Sequence, residues 1–242
     1  ALFVSPAVPE SRIAQMVRYQ PGRRITTYTV PPGYGLGLWD GTASDHLAGI
    51  PLVQLETSSR RGLRWRVKRA FDVVAAGTAL VALSPVMLLT ALAVRLEIGP
   101  SIIFRQTRIG HGGRPFTLYK FTSMRPVDDS EADTRWSIAG DDRIGRVGAF
   151  IRATSLDELP QLVNILKGDM SVVGPRPERP HFVDRYGQEY EHYAGRHRVP
   201  VGLTGLAAVR GLRGDTSISI RAHYDNVYID HWSLWRDVKI ML

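Results

Sequence analysis

The chemistry that this sequence could perform centres on two adjacent carboxylates, Asp157 and Glu158, which closely follow Ser155. Leucines at helical spacing come after the pair, and a Lys-Gly pair at 167–168 supplies a helix end. The spacing therefore predicts a helix that begins near Ser155 and holds both acids in its first turn. An ionised aspartate at a positive helix end is suited to nucleophilic attack on phosphorus.

The same segment also has a purely structural interpretation. Ser155 and Glu158 match the capping box, in which a serine hydroxyl and a carboxylate three residues later satisfy free amide groups at a helix start. This box leaves Asp157 unused, so that its carboxylate is available for another role. Taken alone, the segment favours capping over catalysis, and the surrounding residues decide between the two.

Two arginines flank this segment. Arg152 precedes the acids, and the turn Pro175-Arg176-Pro177 follows the same predicted helix. Arginines near a helix start form a suitable clamp for phosphate groups. A divalent cation would offset the remaining charge of a diphosphate. The combination favours phosphoryl transfer with Asp157 as the nucleophile.

An uncharged segment from Val73 to Val94 precedes these residues and would position them. About 20 apolar residues can span a bilayer core as a helix, whereas helices of soluble proteins rarely run this long without a polar face. Pro85 cannot donate a hydrogen bond to the carbonyl of Val81, and the Ser84 hydroxyl can satisfy part of the freed backbone. The pattern predicts a broken membrane helix, with a buried soluble helix as the alternative.

Basic residues lie on both sides of the uncharged segment. They are Arg60, Arg61, Arg64, Arg66, Lys68 and Arg69 before it, and Arg95, Arg105, Arg108 and Arg114 after it. Positive charge favours the cytoplasmic side of a membrane, so both ends should lie there. We therefore expect a re-entrant helix-break-helix hairpin at about residues 70–96 rather than a full span.

The remaining sequence predicts an α+β fold that is mostly helical. Alternating residues at 103–121 predict a small β-hairpin, and the acidic segment 128–142 predicts an exposed loop. Aromatic residues between Tyr224 and Trp235 could belong to a core or to a membrane interface. We place a domain boundary at the basic cluster, which separates residues 1–64 from residues 65–242.

Composition limits the classes of function. Lys and Arg total 31 against 23 acids, which gives a formal net charge of +8 and favours a polyanionic partner. The absence of cysteine excludes disulfides, thiolate nucleophiles and cysteine-based zinc sites. A nucleic-acid binder would rest on basic charge alone, without a recognised motif, and the uncharged segment argues against it.

Several short motifs occur in a fixed order along residues 66–242. They are Lys-Arg-Ala-Phe-Asp at 68–72, Ser-Pro at 84–85, Phe-Arg-Gln-x-Arg-x-Gly at 104–110, Phe-Thr-Leu-Tyr-Lys-Phe at 116–121, Thr-Ser-Leu-Asp-Glu-Leu-Pro-Gln at 154–161, Lys-Gly-Asp-Met-Ser at 167–171, Gly-Pro-Arg-Pro at 174–177 and Trp-Ser-Leu-Trp at 232–235. Each motif is weak, but the ordered set resembles the bacterial sugar transferase family, the monotopic polyprenyl-phosphate phosphoglycosyl transferases. This chain departs from the family pattern at Thr122, where an Arg or Lys is usual, but not at the Asp-Glu pair.

The resemblance implies a two-step reaction. Asp157 would take a phosphosugar from a UDP-sugar and expel UMP, and polyprenyl phosphate (undecaprenyl phosphate) would then accept the phosphosugar. Asp157 and Glu158 would also hold Mg²⁺, with Glu158 activating the acceptor. The implied substrate-binding residues are Arg152, Arg176, Pro175, Pro177, Lys120 and Arg105, and Ser84 and Pro85 would form the membrane break.

The resemblance also implies a cellular setting. The catalytic domain would have amphipathic interfacial helices, lie on the cytoplasmic face of the bacterial inner membrane and contact its lipids. It would catalyse the first membrane step of exopolysaccharide, capsule or O-antigen synthesis. Residues 1–64 resemble the remnant of an N-terminal regulatory domain. The identity of the sugar and the presence of a homo-oligomer stay open. The alternative function is a non-catalytic membrane scaffold that binds lipid phosphates and uses the acids only as a cap.

Overall fold

The computed structural model describes residues 2–4, 27–30, 45–47, 50–55, 63–124, 143–190, 192–212, 214 and 216–242. Its contacts divide the chain into two compact units, Ala1–Trp65 and Arg66–Leu242. The acidic segment 128–142, for which we predict an exposed loop, lies outside the described residues.

The first unit contains a small mixed sheet. Its strands are β1 (Leu2–Val4), β2 (Thr27–Thr29), β3 (Asp45–Leu47) and β4 (Ile50–Leu55). They lie in the order β1-β2-β4-β3, with β1 and β2 parallel and the other pairs antiparallel. That this unit is the remnant of a regulatory domain stays a prediction.

The uncharged segment folds as two helices, α1 (Leu63–Ala82) and α2 (Ser84–Glu97), which are bent by 62° relative to each other. Ser84 Oγ donates a 2.8 Å hydrogen bond to the carbonyl of Val81, which lacks an amide donor because Pro85 follows. The predicted break is confirmed. Within the described residues no single helix is long and apolar enough to cross a membrane. The two helices of the bent pair together have sufficient length and apolar composition. Membrane insertion stays a prediction.

Each helix of the bent pair buries one side. Ala76 of α1 is fully buried in a cluster with Leu118, Leu162, Ile165, Met170 and Val201. Val94 of α2 is fully buried with Phe121 and Ile151. Other apolar side chains of the pair are exposed, namely Val73, Val74, Val81, Val86, Leu88, Leu89, Leu92 and Leu96. An apolar surface of this kind is typical of a membrane or protein contact.

Two strand pairs build the framework of the second unit. Strands β5 (Ile103–Ile109) and β6 (Pro115–Phe121) form the predicted antiparallel hairpin, which is confirmed. Strands β7 (Met170–Val173) and β8 (Val201–Thr204) pair in parallel. Gly174 and Gly202 allow β7 and β8 to approach closely, since a Cβ on Gly202 would lie 2.1 Å from the Gly174 nitrogen.

Helices surround these strands, and the described part of the chain is mostly helical, as predicted. They are α3 (Arg146–Ala153), α4 (Gln161–Lys167), α5 (Pro180–Glu189), α6 (Leu206–Val209), α7 (Ile218–Asp230) and α8 (Leu234–Met241). Short 3₁₀ segments occur at His111–Gly113, Leu156–Glu158 and Tyr193–Arg198.

The C-terminal aromatic residues divide between core and surface. Tyr228 is buried, and its hydroxyl lies 2.8 Å from Asp237 and 3.0 Å from the carbonyl oxygen of Val173. Trp235 is 64% exposed. The two interpretations of this segment therefore apply to different residues, with Tyr228 in the core and Trp235 available at the surface.

Candidate active site

The paired acids lie on a 3₁₀ turn and not in the first turn of an α-helix. Ser155 adopts a left-handed conformation (φ 58°) and makes no side-chain capping bond, so the predicted capping box is wrong. The helix that follows, α4, begins only at Gln161. Pro160 immediately precedes it, where a missing amide hydrogen removes no bond from the helix. The left-handed serine instead starts the turn that carries the acids.

Apolar neighbours fix the orientation of this turn. Leu156 and Leu159, on either side of the acids, pack on the cluster formed by Val94, Phe121 and Ile151. The cluster therefore joins the acid-bearing turn to α2, β6 and α3.

Glu158 lies between two cations. Its Oε1 accepts a hydrogen bond from Lys120 Nζ at 2.8 Å and another from Arg176 Nη2 at 2.7 Å. Lys120 Nζ also lies 3.7 Å from Oδ2 of Asp157. The structure thus brings four of the predicted site residues, Asp157, Glu158, Lys120 and Arg176, into one cluster of alternating charge.

The two acids differ in their electrostatics. Burial raises the pKa of Asp157, and nearby Lys120 opposes this rise without cancelling it. Burial also disfavours the ionised form of Glu158, but Arg176 and Lys120 outweigh it and lower the pKa of that carboxyl to about 2. Adjacent carboxyls with pKa values driven apart are typical of sites where the two groups have separate roles. The nearby cations favour the ionised form of both carboxylates.

A buried asparagine holds the strand that carries Lys120. Asn164 of α4 accepts a hydrogen bond from the Tyr119 amide at 3.1 Å and donates one to the Thr117 carbonyl at 2.7 Å. It is completely buried. Asn164 was not predicted from the sequence, although an amide side chain among the apolar residues of α4 was an available signal.

The remaining predicted residues occupy different places. Pro175 and Pro177 are buried on either side of Arg176. Arg152, in the last turn of α3, lies near enough to Asp157 to lower its pKa.

Arg105 is exposed and pairs across the hairpin with Tyr119. Because neighbouring residues of a strand point to opposite faces, its register places Arg105 on the face opposite Lys120. The structure therefore does not bring Arg105 to the cluster, and the strand register does not support the predicted substrate role of Arg105.

The predicted membrane-break residues, Ser84 and Pro85, lie at the bend of the helix pair.

The two acids alone are too few to hold a metal ion. Among the described residues there is no group of three or more His, Cys, Asp or Glu side chains that could hold a metal ion. Mg²⁺ commonly binds through one or two carboxylates, with substrate phosphates and water completing its shell. Asp157 and Glu158 therefore fit a magnesium site that is shared with a phosphorylated substrate.

Comparisons with known proteins agree with the ordered motifs. A family model described as bacterial sugar transferase matches residues 63–242. A UDP-glucose:undecaprenyl-phosphate glucose-1-phosphate transferase of Caulobacter vibrioides is 46% identical over 212 residues, which cover 84% of this chain and 79% of that protein. Transferases of the same description from Escherichia coli and Xanthomonas campestris are 41% and 37% identical, over 81% and 98% of this chain. The chain spans 43% and 50% of the length of these two relatives.

Proposed function

Because the chain belongs to the bacterial sugar transferase family, we propose that it transfers a sugar-1-phosphate from a UDP-sugar to undecaprenyl phosphate. The family model and the relatives confirm the family membership that the motifs predicted. They also confirm that the chain is a phosphoglycosyl transferase enzyme. The observation that most supports the proposed activity is the cluster in which Lys120 and Arg176 converge on the Asp157-Glu158 pair.

In the first step a carboxylate oxygen of Asp157 attacks the β-phosphorus of the UDP-sugar. A bond forms between this oxygen and phosphorus, and the bond from the β-phosphorus to the bridging oxygen breaks. UMP leaves with the bridging oxygen and its electron pair, and the phosphosugar remains on Asp157 as an acyl phosphate. Burial of the carboxylate supports this role because a less solvated oxygen is the stronger nucleophile.

In the second step an oxygen of undecaprenyl phosphate attacks the same phosphorus. The acyl phosphate bond breaks, the Asp157 carboxylate is restored and the sugar leaves on a lipid diphosphate. Glu158 assists the acceptor. Its very low pKa suits it to remain anionic throughout, as a metal ligand or positioning group rather than as a proton reservoir.

Lys120 and Arg176 bind the phosphates. In the free protein both cations contact Glu158, and an incoming diphosphate offers them oxygens of greater charge. Arg152 adds positive charge on the Asp157 side. Mg²⁺, when bound by Asp157 and Glu158, supplies neutralisation of the diphosphate charge.

The absence of a capping bond at Ser155 argues against the scaffold alternative. A scaffold would use the acids to cap a helix, whereas Glu158 contacts two side-chain cations from distant strands and turns.

The exposed apolar side of the bent helix pair supports a position at the inner membrane, where the lipid acceptor resides. The pathway would be synthesis of an exopolysaccharide, capsule or O-antigen.

The test is a UMP-release assay with Mg²⁺, undecaprenyl phosphate and a panel of UDP-sugars. UDP-glucose is the first sugar donor to assay because the Caulobacter relative is named as a UDP-glucose transferase. We expect Asp157→Asn to abolish UMP release, whereas Asp184→Asn, at an exposed site on α5, retains it. UMP release at the full rate by Asp157→Asn would remove the nucleophile assignment and favour the scaffold.

A further inference from the structure

The Pro-Arg-Pro segment that presents Arg176 is held in place by its backbone carbonyls. Pro175 and Pro177 have no amide hydrogens, so this segment cannot form the usual ladder of a strand or helix. Its three consecutive carbonyls instead accept hydrogen bonds from three different elements. The donors are the Gly202 amide to Pro175 at 2.8 Å, Arg196 Nη2 to Arg176 at 2.9 Å and Arg108 Nη1 to Pro177 at 3.1 Å.

The bond to the central carbonyl comes from a buried arginine whose other nitrogens are also engaged. Arg196 Nε and Nη2 contact Oδ2 of Asp225 at 3.0 and 2.7 Å, and its Nη1 donates to the Tyr193 hydroxyl at 2.9 Å. Both members of the Arg196-Asp225 pair are 2% exposed. The planar guanidinium is therefore fixed in orientation, with one nitrogen directed at the Arg176 carbonyl.

Stability alone is a weak explanation for this pair. Burying two charges carries a desolvation cost that often equals the gain from their attraction, and an apolar pair of similar volume would serve a core as well. What an apolar pair could not do is donate a hydrogen bond to a carbonyl that prolines flank.

We propose that Arg196 and Asp225 are positioning residues that fix the backbone at Arg176 and so set its guanidinium against Glu158. The chain of contacts runs from Asp225 through Arg196 to the Arg176 carbonyl, and from the Arg176 side chain to Glu158 Oε1 at 2.7 Å. The inference rests on the proposed function in that Arg176 binds substrate phosphate. Within the described residues, neither Arg196 nor Asp225 forms a hydrogen bond or ion pair with Asp157 or Glu158, so their effect passes through Arg176.

The test is a double-mutant comparison. Arg196→Lys keeps the charge but removes the planar fork, and Asp225→Asn provides a second, nearly isosteric variant if the first folds poorly. With Arg176 present, we expect Arg196→Lys to lower kcat/KM for UMP release about tenfold or more, because small displacements of a positioned group are costly. In the Arg176→Ala background the same change should cost less than about twofold.

A matched control comes from another arginine that holds backbone carbonyls. Arg69 donates to the carbonyls of Ile165 and Leu166 at the end of α4, away from the Pro-Arg-Pro segment. Arg69→Lys should change kcat/KM by the same factor in both backgrounds. Equal factors for Arg196→Lys in the two backgrounds would overturn the positioning role and leave a structural one.

A readout that does not depend on activity separates this inference from the proposed function. Amide hydrogen exchange of a peptide covering 172–178 should rise in Arg196→Lys and stay unchanged in Arg69→Lys. Unchanged exchange in Arg196→Lys would overturn the inference. Full activity in Arg176→Ala would instead remove the substrate role of Arg176 from the proposed function, and the exchange comparison would still decide whether Arg196 holds this segment.

Discussion

At the scale of single residues, the central feature of the site is that two cations share one carboxylate oxygen. Glu158 Oε1 binds both Lys120 and Arg176, whereas Asp157 has only a longer 3.7 Å approach from Lys120, and burial raises its pKa. The cations thus stabilise Glu158 most strongly and leave the Asp157 carboxylate available for attack. This division of roles between neighbouring acids follows from which oxygens the cations reach.

Arg176 provides a test of this arrangement. Arg176→Lys keeps the positive charge but loses the guanidinium that can contact Glu158 and a phosphate together, so we expect kcat/KM for UMP release to fall about 10- to 100-fold. Arg185→Lys, at a 63% exposed site on α5, serves as the control and should leave the rate unchanged. A wild-type rate in Arg176→Lys would mean that only charge, and not geometry, matters at this position.

The sequence predicted the chemically important residues better than their local structure. The acid pair, Lys120 and Arg176 could be identified from residue type and motif order. The 3₁₀ turn could not, because nothing local distinguishes a serine that caps a helix from one that adopts a left-handed conformation. Arg196 and Asp225 were missed because they pair across 29 residues of chain, and a contact of this range leaves no local pattern.

At the scale of elements, the close approach of β7 and β8 supports the site. Gly174 lies between β7 and the Pro-Arg-Pro segment, and the Gly202 amide of β8 donates a hydrogen bond to the Pro175 carbonyl. The break between α1 and α2 was predictable because proline acts locally. The pairing of β7 with β8 was not, since parallel strands are joined by a long crossover and their register depends on distant residues.

Glycine substitutions test the importance of this approach. A Cβ on Gly202 would lie 2.1 Å from the Gly174 nitrogen and 2.4 Å from the Thr204 carbonyl oxygen, so the strands would have to separate. We expect Gly202→Ala to cost about 3 kcal/mol of unfolding free energy, which corresponds to a fall of roughly 6 to 12 °C in Tm. The measurement is thermal unfolding in detergent.

The matched variant is Gly187→Ala on α5, where a Cβ would meet nothing within 4 Å. This change should stabilise the protein slightly, because alanine is the better helix former by about 0.5–1 kcal/mol. An equal Tm for the two variants would show that β7 and β8 do not need their close contact.

At the scale of the whole molecule, insertion of the bent helix pair into a membrane would determine which side of that membrane the site faces. Its exposed apolar side chains and the cations before and after it favour a re-entrant hairpin whose two ends share one side. The site would then lie at the cytoplasmic surface, where a UDP-sugar and a lipid phosphate can meet.

Cysteine labelling tests this topology on a chain that has no cysteine of its own. The single changes Arg66→Cys and Arg105→Cys place one thiol before the hairpin in the sequence and one thiol after it. We expect both to react with a membrane-impermeant maleimide in inverted vesicles and neither to react in intact spheroplasts. Reaction from opposite sides of the membrane would establish a full span and exclude the hairpin.

The most direct test of the central claim is to trap the phosphosugar on Asp157. The protein is incubated with Mg²⁺ and UDP-glucose labelled at the β-phosphate, without a lipid acceptor, and its peptides are analysed after acid quenching. We expect the label on the peptide that contains Asp157, its loss on addition of undecaprenyl phosphate, and no label in Asp157→Asn. Full product formation on addition of the acceptor, with no label on Asp157 beforehand, would contradict the account.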